Sequence, residues 1–124
     1  MIPYDLTFDS PAPILQATVS NVLNRRLHRT FPALLDTGGD ITAIPNYCKQ
    51  SLKLYPIKQM YIEGIHGART PIYVYAVHFT FAELVVPRLE VILTPLEFIV
   101  MGRDLLNRFD IHLYGPQLLF EINV

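Results

Sequence analysis

Apolar and polar residues alternate along much of this chain, and where alternation stops the apolar residues run in short blocks. Ile2, Tyr4, Leu6 and Phe8 recur with a period of two, and Ile72, Val74, Ala76, His78 and Thr80 interleave with Tyr73, Tyr75, Val77, Phe79 and Phe81. A period of two predicts strands. In the second run both phases are largely apolar, which predicts cover on two sides. Further strands are expected at 14–19, 31–35, 57–65, 85–93, 98–101, 111–114 and 118–122. Pro45, Pro56, Pro71, Pro87, Pro95 and Pro116 punctuate these runs and suit turns, edges and crossings better than long helices. The clearest helical segment is Asp104-Leu105-Leu106-Asn107-Arg108-Phe109. It is too short to persist alone, so Leu105, Leu106 and Phe109 are expected to pack against the sheets. With no repeat and no linker, the pattern predicts a compact all-β domain over 1–124 with one short C-terminal helix.

Composition narrows the function classes. The 124 residues suit one domain with a useful core, and 51% of them are hydrophobic. A single cysteine, Cys48, excludes an internal disulfide and a thiolate metal cluster and fits a reducing, cytoplasmic compartment. Net charge is -1, and the basic residues are scattered apart from Arg25, Arg26, His28 and Arg29, which read as a solvated hairpin or turn. No nucleic-acid partner is expected, because such a surface would spread positive charge over more of the chain. No membrane partner is expected either: no uninterrupted apolar span is long enough, and the start, with Pro3 and Asp5, does not resemble a secretion signal.

Two segments carry chemistry. In Phe31-Pro32-Ala33-Leu34-Leu35-Asp36-Thr37-Gly38-Gly39-Asp40 an apolar strand runs into an acid on a glycine-rich turn. A carboxylate there loses solvation and needs hydrogen-bond donors, a charge partner or a proton shared with another acid. Gly38 and Gly39 are expected to take backbone conformations denied to larger residues and to let amides approach the carboxylate, with the Thr37 hydroxyl bracing the turn. In Phe98-Ile99-Val100-Met101-Gly102-Arg103-Asp104-Leu105-Leu106 a buried strand reaches a glycine and enters the short helix. The five-donor fork of Arg103 suits Asp40, which leaves Asp36 free for chemistry. Asp104 is read as a helix-start residue.

Other schemes fit less well. Ser10, Ser20, Ser51 and Cys48 lack a glycine elbow that would expose a nucleophile. His28, His66, His78 and His112 are dispersed, and Asp36 and Asp40 lack the further ligands of a calcium loop, so no metal is expected. Gly64 and Gly67 are too sparse for a phosphate-binding loop. No cofactor is called for.

The combination resembles the retropepsin-like aspartic proteases, the single-domain class related to retroviral proteases. Ala33-Leu34-Leu35-Asp36-Thr37-Gly38-Gly39-Asp40 and Val100-Met101-Gly102-Arg103-Asp104-Leu105-Leu106 carry it most specifically, and Ile62-Glu63-Gly64-Ile65-His66-Gly67 resembles the tip of a substrate-covering flap. The resemblance implies a retropepsin-like acid protease fold with a flap hairpin. It also implies a catalytic Asp36, a Thr37 brace shared by two subunits, a loop shaped by Gly38, and an Asp40–Arg103 pair beside the substrate. Gly39 departs from the more usual alanine, and Glu63 and His66 make the flap less glycine-rich and less neutral than the familiar form.

This chemistry needs two carboxyl groups, one ionised to activate water and one protonated to assist at the peptide carbonyl; at close range they share a proton. Asp36 is the only acid in an Asp-Thr-Gly setting and the chain has no duplicated half, so a twofold homodimer is expected to bring two copies together. Asp40 of the same chain is the rival second acid. The expected function is a cofactor-independent aspartic endopeptidase acting on a peptide or protein substrate; the alternative is a catalytically inactive peptide-binding or assembly module of the same fold. Leu34, Leu96, Phe98 and Val100 are candidate apolar pocket walls, with ordinary core as the competing reading. Glu63, Gly64, Ile65 and His66 are candidate flap contacts, Ile65 covering an apolar part of the peptide and His66 adding a proton-dependent contact or serving as a plain exposed turn residue.

Overall fold

The computed structural model describes residues 1–123. Its strands are β1 (Ile2–Pro3), β2 (Ile14–Ser20), β3 (His28–Leu35), β4 (Ala43–Pro45), β5 (Lys58–Glu63), β6 (Arg69–Phe81), β7 (Leu84–Thr94), β8 (Ile99–Met101), β9 (Asp110–Tyr114) and β10 (Leu119–Asn123). Two single-turn helices, α1 (Cys48–Ser51) and α2 (Arg103–Leu106), and a 3-10 turn at Gly115–Gln117 complete the secondary structure.

The larger sheet runs β2-β3-β8-β4-β7-β6-β5 and closes on itself, because β6 also pairs with β2. The length of β6 makes this closure possible. Along one edge its first half pairs with β5, from Arg69↔Glu63 to Val74↔Lys58, and its second half with β2, from His78↔Ser20 to Phe81↔Ala17. Its other edge pairs with β7, with a register shift between Val77 and Phe79 that lets the strand bend around the barrel. Inside, Phe79, Phe81, Val77, Val19, Val91, Ile44, Ile99, Met101 and Leu105 are almost fully buried. The intervening Ala76, His78 and Thr80 are half-buried, so the second face of β6 is partly covered too, as its apolar double phase predicts. A separate sheet, β1-β10-β9, joins the two ends of the described chain.

Two local outcomes differ from the alternation pattern. The run of Ile2, Tyr4, Leu6 and Phe8 yields a strand only at Ile2–Pro3, because the Asp5 carboxylate accepts hydrogen bonds from the Thr7 amide (2.8 Å) and hydroxyl (2.6 Å) and turns the chain. Helix α1 was not foreshadowed by any periodicity; Cys48 and Leu52 anchor it in the core. Leu105 and Leu106 of α2 are buried as expected, and Phe109 packs edge-on against Phe81 with ring centroids 5.6 Å apart. Among the described residues, no helix is long and apolar enough to cross a membrane.

Burial pushes the Cys48 thiol up to about 11, against a smaller opposing pull from Arg29. The thiol therefore stays protonated at pH 8 and sealed from solvent. Iodoacetamide at that pH should leave Cys48 unmodified in the native protein and label it fully in denaturant, as read by intact mass.

Candidate active site

The site begins with a parallel pairing. β3 and β8 align Ala33↔Ile99, Leu34↔Val100 and Leu35↔Met101, so both strands end side by side and the loops that follow them meet. The Asp36 amide donates to the Met101 carbonyl at 3.0 Å, which fixes the first loop against the end of β8. Asp36 is half-buried, and its Oδ1 accepts a hydrogen bond from the Gly38 amide at 2.9 Å. That amide is the donor a desolvated carboxylate at this position requires. Neither Gly38 nor Gly39 occupies the left-handed region; of the glycines only Gly67 does. The expected approach of an amide to the carboxylate is formed at Gly38 without the unusual backbone angles, and space adds to it: a Cβ on Gly38 would stand 3.3 Å from Asp36 Oδ1, and one on Gly39 3.4 Å from Oδ2. Alanine thus fits at 39 in ordinary contact, and glycine leaves more room above the acid.

The second loop is locked to the first by closer contacts. A Cβ on Gly102 would lie 2.9 Å from both the backbone N and C of Ile41, so the two chains pass at a distance only glycine permits. Thr42 bridges the crossing: its hydroxyl accepts from the Gly102 amide (3.2 Å) and donates to Asp104 Oδ1 (2.8 Å), while its amide donates to Asp104 Oδ2 (3.1 Å). Asp104 also accepts from the Leu105 amide at 3.0 Å. It is therefore more than a helix-start residue, since its carboxylate ties α2 to the segment entering β4. Arg103 completes the lock, its amide donating to the Gly39 carbonyl (2.8 Å), its Nη1 to the Thr37 carbonyl (3.0 Å) and its Nη2 to Asp40. The Asp40–Arg103 pair read from the sequence is thus formed in the structure.

A cleft of about 710 Å³ opens beside this junction. Asp36, Gly39 and Asp40 contribute to it from the first loop and Val100 from β8; Ile41, Ala43, Ile92, Leu93 and Leu96 form apolar walls. On its remaining side the hairpin of β5 and β6 contributes Met60, Tyr61, Ile62, Glu63 and Ile72. The hairpin turns tightly, with the Gly64 amide donating to the Ala68 carbonyl (2.7 Å), the Gly67 amide to the Gly64 carbonyl (3.0 Å), and Gly67 at φ +75°. Of the candidate contacts, Leu96, Val100 and Glu63 line the cleft, whereas Gly64, Ile65 and His66 form the exposed hairpin tip beyond it. Leu34 is half-buried in the sheet between Ile14 and Val100, and Phe98 packs edge-on against Phe8 at 5.2 Å; neither lines the cleft. Ile62 was named only as part of the flap motif, and Met60, Ile92 and Leu93 were not singled out from the sequence. Alternation gave no signal for the β5 residues, since Met60, Tyr61, Ile62 and Glu63 of both phases line the cleft. Among the described residues, no group of three acidic, histidine or cysteine side chains could hold a metal ion.

A model of the retroviral aspartyl protease family matches residues 9–114. The chain belongs to that family. Aspartic-protease-type hydrolysis is accordingly the general activity of this retroviral-type protease. No curated protein matches its sequence significantly. Among solved structures, the simian foamy virus protease is 25% identical over 74% of this chain and 89% of its own, with a TM-score of 0.57. The EIAV protease complexed with the inhibitor HBY-793 shares the fold at 18% identity, covering 86% of this chain and 93% of its own with a TM-score of 0.56. Prototype foamy virus protease-reverse transcriptase also shares the fold at 22% identity and a TM-score of 0.57; the match covers 91% of this chain but 12% of that longer one.

The loop crossing makes a direct prediction for the protease. Gly102→Ala forces backbone against backbone and should lower unfolding free energy by about 1–3 kcal/mol, the usual range for overpacking. Thr42→Val, which takes the acceptor from the buried Gly102 amide and one of three donors from Asp104, should cost about 1–3 kcal/mol by loss of a partner. Urea denaturation followed by circular dichroism measures both, and wild-type midpoints in the two variants would contradict the crossing as drawn.

Proposed function

We propose that residues 1–124 form one aspartic endopeptidase domain that works as a homodimer, with Asp36 of each subunit supplying one of the two catalytic carboxyl groups. The observation that carries this reading is the placement of the Asp36 carboxylate, half-buried, held by the Gly38 amide and lining the cleft. An ionised Asp36 takes a proton from water as the water attacks the peptide carbonyl; the protonated copy donates to the carbonyl oxygen. Collapse of the tetrahedral intermediate returns a proton to the leaving amine, and the pair is restored with its single shared proton. Asp40 is engaged by Arg103, which favours a second Asp36 over Asp40 as the partner acid.

Thr37 and Gly38 are exposed on the loop, a position suited to a contact across a twofold axis. The apolar walls at Ile41, Ile92, Leu93, Leu96 and Val100 suit hydrophobic substrate side chains flanking the cut. An extended peptide in the cleft would satisfy its backbone against the hairpin and the loops.

The test is cleavage of a diverse peptide library by the dimer, beside Asp36→Asn. Cleavage should concentrate at apolar residues and fall by about a thousandfold or more in the variant. Binding without cleavage across the pH range would instead identify a peptide-binding module. Activity should be bell-shaped in pH with an acidic to mildly acidic optimum, because both a fully protonated and a fully ionised pair are inactive. A profile rising steadily into alkaline solution contradicts the shared-proton mechanism. Sedimentation measured alongside turnover should show activity following the dimer population, and full activity in an isolated monomer would overturn the assembly.

A further inference from the structure

The cleft carries three carboxylates, Asp36, Asp40 and Glu63, and their charge balance differs. Asp40 is neutralised by Arg103, and Asp36 is assigned to the chemistry. Glu63 stands at the end of β5, directly across the hairpin from Arg69, the cation positioned to balance it. Arg69 is drawn elsewhere: its guanidinium lies over the ring of Tyr61, 4.6 Å from the centroid. Among the described residues Glu63 takes part in none of the ion pairs, which join Lys58 and Arg88 to Glu90 and Arg103 to Asp40. A flexible acid at the mouth of an otherwise apolar cleft thus lacks a fixed counter-charge within the hairpin.

We infer that Glu63 is a specificity-determining residue that selects a lysine or arginine side chain in the substrate, outside the apolar residues that flank the cut. This rests on the proteolytic reading above and adds to it a second, charge-based element of substrate choice. Strand geometry locates the contact. Glu63 is the last residue of β5 and stands where the cleft wall gives way to the hairpin turn. A peptide side chain that meets it therefore lies at the hairpin end of the cleft, outside the residues that flank the cut. In a twofold dimer each flap offers one Glu63, and the preference applies on both sides of the cut. Partial solvent exposure keeps the effect moderate, and salt weakens it.

Peptides with a fixed apolar centre and lysine, glutamine or glutamate at each outer position provide the test. Within one enzyme, the ratio of kcat/KM for the lysine peptide to the glutamate peptide should reach roughly three- to tenfold at an outer position on each side of the cut, and should shrink as ionic strength rises. Glu63→Gln should bring the ratio near one, and Glu63→Lys should invert it. Because each ratio is internal to a variant, a general loss of activity does not mimic the result. The same peptides are then titrated onto Asp36→Asn, reading affinity alone. A lysine preference in binding that vanishes with Glu63→Gln in that background supports the charge subsite even if no peptide is ever cleaved, in which case the proteolytic reading fails by itself. Equal affinity for lysine and glutamate peptides at every outer position, or a lysine preference that survives Glu63→Gln, overturns the inference.

Discussion

The passage of the Gly102 backbone against Ile41 is the contact around which the rest of the molecule is arranged. Two strands that end in parallel, β3 and β8, deliver two loops to the same place, and the loops interlock only because residue 102 has no side chain. Thr42 and Asp104 then satisfy the polar groups trapped at the crossing, Thr42 being fully buried. An unpaired polar group there would cost more than the hydrogen bond itself contributes, so the threonine and the aspartate depend on each other. The outcome is a rigid base from which the Asp36 loop projects.

Magnitudes separate what holds this base from what tunes it. The Arg103–Asp40 pair is conspicuous but exposed, with the Asp40 side chain 84% accessible, and exposed ion pairs contribute little to stability. Its consequence is positional: Arg103 also bonds the carbonyls of Thr37 and Gly39, so one residue braces both sides of the loop that carries Asp36. The apolar interior of the barrel supplies the bulk of the driving force, through Phe79, Phe81, Ile99 and Met101. The hairpin of β5 and β6 is the opposite case. Its outer half is exposed and held by its ladder, its Gly67 turn and the Arg69–Tyr61 contact, which suits an element that closes over a substrate.

Much of this was legible in the residues. Strong alternation and apolar blocks marked β2, β3, β6 and β7 because buried, period-two segments leave a clear trace. The Asp36 and Gly102-Arg103 segments stood out because a carboxylate and a guanidinium at the ends of apolar strands are unusual placements. What escaped notice depended on long-range proximity. Thr42 sits in the apolar stretch Ile41-Thr42-Ala43-Ile44, and nothing local says that its hydroxyl meets Asp104 sixty-two positions later. Gly38 and Gly39 suggested both unusual backbone angles and a close amide; the amide of Gly38 does reach Asp36, but the angles are ordinary and space beside the carboxylate takes their place. Leu34 and Phe98 shared the composition of wall residues such as Leu96 and Val100, and only register and packing separate them. Helix α1 is a single turn, too short for any period to reveal.

The central claim is that two chains each contribute one Asp36 to a single reaction centre. It is tested most directly by co-refolding wild-type protein with Asp36→Asn at fixed total concentration and varied ratio, then measuring peptide cleavage. If each active centre needs both acids, mixed dimers are inactive and turnover falls as the square of the wild-type fraction. A fall in simple proportion to that fraction would mean that each chain carries its own complete acid pair, and would contradict the account.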